Sequence, residues 1–123
     1  MIVRANEEVL GQPPVTPAVF NVLLALVDGE KHGYAILKEV AEQTQGEVRL
    51  STGTLYGIIK RLLAEGLIAE SCTRPASERD DPRRRYYRVT DAGKEVAAAE
   101  AVRMEKLIAR ARAKRLIKAL RPA

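Results

Sequence analysis

The sequence has no tryptophan, one phenylalanine, one cysteine (Cys72) and one histidine (His32) among 123 residues. Each scarcity excludes something. A lone cysteine forms no intrachain disulfide, and one cysteine with one histidine does not furnish a Cys/His zinc site. Cys72 reads as a small buried residue. There is no nucleophile–base constellation, no paired acids in an apolar setting and no phosphate loop. The chain is therefore expected not to be an enzyme and to need no cofactor and no metal. No apolar run reaches membrane-span length, and Met1 to Glu8 lacks a signal-peptide pattern. A soluble, cytoplasmic chain without membrane contact is expected.

The hydrophobic fraction is 46%, enough for the core of one domain. The formal charge of +5 is spread unevenly. Residues 1–48 carry a net −4, residues 49–88 a net +4 and residues 89–123 a net +5. Positive charge beginning near residue 49 is the footprint expected of a polyanion binder.

Residues 1–15, with Gly11, Pro13 and Pro14, read as a flexible N-terminal arm. Thr16-Pro17 is a helix start, with threonine capping and proline in the first helical position. Val19 to Val27 is apolar almost all round. Such a helix is expected to be covered on more than one side, so Val19 and Leu23 are assigned to a subunit interface. A second helix is predicted from about Gly33 to Gln45, ended by Gly46, with Ile36, Leu37, Val40, Ala41 and Thr44 inward.

The third helix, within residues 51–66, is the centre of the reading. Ser51 is the N-cap and Gly66 the residue just past the end. Leu55, Ile58, Ile59, Leu62 and Leu63 form the apolar face. Thr52, Thr54, Tyr56, Lys60 and Arg61 form the other, which carries hydroxyls and cations and no acid before Glu65. Two helices joined by a short turn, the second basic on its free face, make a helix-turn-helix. Leu67 to Thr73 and Arg85 to Val89 read as two strands, with Tyr87 and Val89 on one face of the second. The charged loop between them completes a wing. Arg83 and Arg84 of the loop, with Arg85 at the start of the second strand, outnumber the adjacent acids and are candidates for phosphate contact; internal pairing with Asp80 and Asp81 is the alternative.

Thr90 caps a long helix predicted from Asp91 to about Leu120. Ala97, Ala101, Met104, Ile108 and Ala111 follow 4-3-4-3 spacing, a coiled-coil seam. A helix that long needs a partner, and a second copy is the simplest one. The expected architecture is mainly α with a small β-hairpin wing. It comprises the arm (1–15), a winged helix-turn-helix DNA-binding domain (16–90) and a C-terminal dimerisation helix (91–123).

Four motifs in order give a resemblance. They are His32-Gly33-Tyr34, Ser51-Thr52-Gly53-Thr54-Leu55-Tyr56, Lys60-Arg61-Leu62 with Glu65-Gly66-Leu67, and Arg85-Tyr86-Tyr87-Arg88-Val89-Thr90-Asp91-Ala92-Gly93. Over about residues 17–95 the chain resembles PadR-type transcriptional regulators of the short class. The resemblance implies a dimer built by the C-terminal helix with help from the first, and usually repression. By family position Tyr34 and Tyr56 are phosphate contacts, although both also suit core packing. His32 reads as a structural histidine and Gly93 as a point of close helix approach. Gly57 stands where many members have proline. Without tryptophan, the sandwiching of flat drugs known in some members is unavailable.

The leading expectation is a sequence-specific regulator of double-stranded DNA, a repressor relieved by an effector, bound as a homodimer to a palindromic operator. Ser51, Thr52, Thr54, Lys60 and Arg61 stand at the expected DNA-binding face, with Thr52, Thr54 and Lys60 reading base edges. A small-molecule effector near the dimer interface is a possible further partner. The alternative is a winged-helix module for protein interaction, which calls for an apolar or mixed patch on the third helix.

Overall fold

The computed structural model describes residues 15–71 and 84–118. The arm to residue 14, Cys72, Arg83 and the last five residues lie outside them. Helix α1 (Pro17–Val27) starts as the sequence predicts: the Thr16 hydroxyl accepts from the Val19 N–H at 3.2 Å, and Pro17 takes the first position. Strand β1 (Lys31–His32) leads directly into α2 (Gly33–Gln43). After a turn comes α3 (Thr52–Ala64), then β2 (Ile68–Glu70), β3 (Tyr86–Val89) and α4 (Asp91–Ala113).

The core forms where the apolar faces of these elements meet. Val22, Leu23 and Leu26 of α1, Ile36 and Val40 of α2, and Leu55, Ile59 and Leu62 of α3 close on Ile68, Tyr87 and Val89 of the sheet. Tyr87 and Val89 point inward as the alternation requires, and burial pushes the Tyr87 phenol above its ordinary pKa. The expected hairpin is the main part of a three-stranded antiparallel sheet ordered β1-β3-β2. In it Lys31 pairs with Tyr87, His32 with Tyr86, and Ile68 with Val89. The added strand is two residues long, too short to show any alternation.

Lys31 fastens this strand to both neighbouring helices. Its ammonium donates to the Ala25 carbonyl at the C-terminal end of α1 and pairs with Asp28 at 2.7 Å and Glu39 at 3.4 Å. A cation at that end of a helix meets the negative end of its dipole. The lysine holds the Asp28 carboxyl below its usual range, first by hydrogen bonding and then by its charge.

Four details correct the sequence reading. Val19 and Leu23 are 3% and 0% exposed within a single chain, so they have no surface left for a partner. The outward apolar residues of α1 are Leu24 and Val27, while Phe20 is half-buried against the core. Ala97, placed in the dimer seam, is likewise seated in the chain's own core. Helix α2 turns out through Gln45, at φ 54°, before reaching Gly46.

The fourth correction concerns α4, which stops at Ala113 and does not run to Leu120. Arg115 takes φ 66°, Leu116 N–H bonds to the Ala111 carbonyl, and Arg115 N–H bonds to the Arg112 carbonyl. This is the hydrogen-bond closure that usually uses glycine at the left-handed position.

Candidate nucleic-acid interface

Helix α3 is fixed at its N-terminus by Ser51. The serine hydroxyl oxygen accepts from Thr54 N–H at 3.0 Å and donates to Thr54 Oγ1 at 2.9 Å. Ser51 is thus an organiser of the helix start, and it orients Thr54. Thr52, one residue into the helix, is exposed, and its hydroxyl has no hydrogen-bond partner among the described residues. Burial of Leu55, Ile59 and Leu62 turns Thr52, Thr54, Tyr56 and Lys60 to solvent together.

Two glycines, Gly53 and Gly57, share this exposed face. Beyond the local helix backbone, no described atom lies within 4 Å of where a Cβ would sit on either, and neither has positive φ. Nothing in the packing of the described residues requires them. Gly57→Ala is therefore expected to stabilise the protein by about 0.8–1 kcal/mol, from helix propensity alone. Thermal unfolding followed by circular dichroism checks this; a lowered midpoint would show that the glycine has a structural role.

Tyr56 reaches across to α2. Its hydroxyl end lies over Gly33, so close that a side chain at Gly33 would collide with it. Gly33 is buried beneath the ring, while Tyr56 and Tyr34 remain 46% and 65% exposed. His32 caps α2, its Nδ1 accepting from Ala35 N–H at 3.2 Å. The imidazole lies nearly parallel to the Tyr34 ring, with centroids 6.5 Å apart, and meets the Tyr86 ring edge-on at 5.3 Å. On its other side Arg84 Nη1 stands 3.2 Å from His32 Nε2. The motifs around residues 32, 56 and 84, distant in sequence, thus meet where α2, α3 and the wing converge.

The remaining assigned cations are differently placed. Arg61 is half-buried and pairs with Glu65 at 3.2 Å, one turn along the helix. Arg85 pairs with Glu70 of the facing strand at 3.1 Å, but both groups are well exposed and such a pair is weak. Arg83 lies outside the described residues. Sequence reasoning passed over Arg49 and Arg88, both exposed. Arg88 was recoverable, since strand alternation turns it away from the core side of Tyr87 and Val89; Arg49 sits in a turn with no periodicity to place it. Among the described residues no group of acids, cysteine or histidine is arranged to hold a metal ion, and no helix is long and apolar enough to cross a membrane.

This arrangement has known counterparts. A crystal structure of a PadR family transcription regulator from Clostridium difficile superposes with a TM-score of 0.65 at 24% identity, covering 83% of this chain and 100% of that one. Bacillus subtilis PadR, crystallised with operator DNA, superposes with a TM-score of 0.56 at 21% identity, over 89% of this chain and 52% of that one. In sequence, 89 residues are 43% identical to an uncharacterized 37.1 kDa protein in a transposon of Streptomyces fradiae, covering 72% of this chain and 23% of that protein. The chain spans less than two thirds of the length of the curated relatives it matches. Residues 22–99 match the profile of the Transcriptional regulator PadR-like family. That match takes in the helix-turn-helix, both wing strands and the start of α4, and the chain belongs to the PadR-like family of transcriptional regulators.

Proposed function

We propose that the protein binds double-stranded DNA as a homodimer, at a palindromic operator, and represses transcription there until an effector releases it. The observation that carries the DNA-binding reading is the exposed face of α3. Its hydroxyls and ammonium are exposed together, and Tyr56 links that face to Gly33 of α2, beside His32, which meets both Tyr34 and Arg84 of the wing. Such a helix fits the major groove, with its N-terminal residues nearest the bases. Thr52 and Lys60 are then base readers, Thr54 is held ready by Ser51, and Tyr34, Tyr56 and Arg84 contact phosphates. The operator complex of the Bacillus subtilis relative supports the same reading. Repression and its relief rest on the family resemblance. A protein-interaction module is disfavoured because the large apolar residues of α3 are consumed by the core.

Two titrations test this. Binding to duplex DNA should fall linearly in a log–log plot against salt. Arg84→Ala should reduce the magnitude of that slope by about 0.9, one phosphate contact, and weaken all sequences alike. An unchanged slope would remove Arg84 from the interface. Thr52→Ala should leave the melting midpoint almost unchanged yet cost about 1–3 kcal/mol on the preferred operator, and less on a scrambled duplex. Equal loss on both would make Thr52 a positioning contact only.

A further inference from the structure

The contacts of His32 conflict. Its Nδ1 faces the Ala35 N–H and its Nε2 faces the Arg84 guanidinium, each at 3.2 Å. Both neighbours are donors, since guanidinium has no acceptor. A neutral imidazole carries one N–H and therefore one accepting nitrogen. In the Nε2–H tautomer the ring caps α2 and turns its own N–H toward Arg84. In the Nδ1–H tautomer it accepts from Arg84 and leaves the Ala35 N–H without its cap. A protonated ring accepts from neither. Every state of the ring leaves at least one of these two donors without an acceptor at His32.

We propose that His32 is a positioning residue that couples the wing to α2 through this choice of tautomer. It holds Arg84 loosely in the free protein and releases it to a DNA phosphate. Once the guanidinium has an anionic partner, the ring settles in the Nε2–H form and the α2 cap closes fully. Tyr34, two residues along and parallel to the ring, is ordered in the same step. Phosphate contact at the wing and order at the start of α2 then favour each other, without direct contact between Arg84 and Tyr34. The coupling is local, because His32 is capping residue, strand partner of Tyr86 and neighbour of Arg84 at once. This inference rests on the DNA-binding reading above.

His32 is the only histidine, so its ring nitrogens are assigned without ambiguity in a nitrogen-15 spectrum. The intact chain is measured alone, as Arg84→Ala, and bound to duplex DNA, with binding followed separately by fluorescence anisotropy. The free protein should show averaging between tautomers. Arg84→Ala, without DNA, should move the ring to the Nε2–H form and slow exchange of the Ala35 amide by roughly twofold or more. Saturation with duplex should produce the same two changes in the unaltered protein. His32→Asn, which keeps a capping oxygen, should bind duplex within about twofold of the original, while His32→Ala should bind about fivefold more weakly, the worth of one lost cap. A ring spectrum unchanged in Arg84→Ala overturns the coupling. A spectrum that responds to Arg84→Ala but not to bound duplex overturns the transfer of Arg84 to phosphate. Absence of duplex binding overturns the DNA reading and the transfer with it, while the DNA-free comparison still decides whether Arg84 sets the tautomer. Equal weakening by the asparagine and alanine variants also counts against the proposal.

Discussion

Gly93→Ala is expected to destabilise the protein by roughly 3 kcal/mol, the upper part of the range for overpacking. At about 4 °C or more for each kcal/mol in a domain of this size, the melting midpoint should fall by about 10 °C or more. The reason lies in how α4 joins the rest. Thr90 N–H bonds to the Leu67 carbonyl at 3.0 Å, and the Thr90 hydroxyl donates to the Gly66 carbonyl at 2.7 Å while accepting from Gly93 N–H at 3.1 Å. One threonine thus caps α4 and closes the end of α3. The geometry draws the first turn of α4 down onto the backbone between α3 and β2. A Cβ on Gly93 would strike the Leu67 carbonyl and the Val89 side chain. The obstructing carbonyl is backbone and cannot rotate away as a flexible side chain would. The helix must lift, breaking the Thr90 contacts and loosening Ala97. Differential scanning calorimetry of Gly93→Ala beside Gly57→Ala is the sharpest form of the test, because the same added methyl should act with opposite sign. A midpoint within 2 °C of the original for Gly93→Ala would show that α4 shifts at little cost, in line with small single-site effects.

The contrast between these two glycines also shows which parts of the structure were legible in the sequence. Local signals with a short-range cause were readable. Thr16, Ser51 and Thr90 are hydroxyl caps directly before helices, and all three accept from the backbone as their position predicts. Gly66 ends α3 at φ 74°. The alternation in β3 correctly buries Tyr87 and Val89. Gly93 was expected to permit close approach, and it does.

Signals that depend on tertiary context were not readable. Helix α1 is apolar on most sides, so periodicity cannot say which stripe faces inward, and the core took Val19 and Leu23. His32 caps α2 although it is outside the usual capping set of Ser, Thr, Asp and Asn. Arg115 ends α4 in a conformation that sequence rules reserve for glycine or asparagine. At the candidate interface, the hydroxyl and cation face of α3 was visible at helical spacing. Its convergence with His32, Gly33 and Arg84 was not, because long-range pairing of β1 with β3 creates it.

The correction at α4 sharpens the largest expected change in assembly. Ala97 and the residues at successive turns beyond it, Ala101, Met104, Ile108 and Ala111, share a stripe. At Ala97 the stripe rests on the chain's own core; at Ala101 and Ile108 it is exposed, with Met104 and Ala111 partly so. The helix continues for four turns past the body that covers its start, roughly 35 Å in all. Ile108 is 47% and Leu107 44% exposed among the described residues. On α1, Leu24 and Val27 are each 46% exposed. Apolar stripes on two helices of one chain are what a twofold partner would cover, since an interface of that symmetry uses the same surface on both subunits. Ala101→Glu with Ile108→Glu should therefore convert the proposed dimer to a monomer. Neither residue belongs to the single-chain core, so circular dichroism should still report a folded domain. Sedimentation equilibrium should give the 13.6 kDa mass of one chain for the double variant and twice that for the unaltered protein. Operator affinity should fall with the dimer, because each monomer then engages one half-site alone. A double variant that sediments as a stable dimer would place the interface elsewhere, and Leu24→Glu with Val27→Glu would then test whether α1 alone carries it.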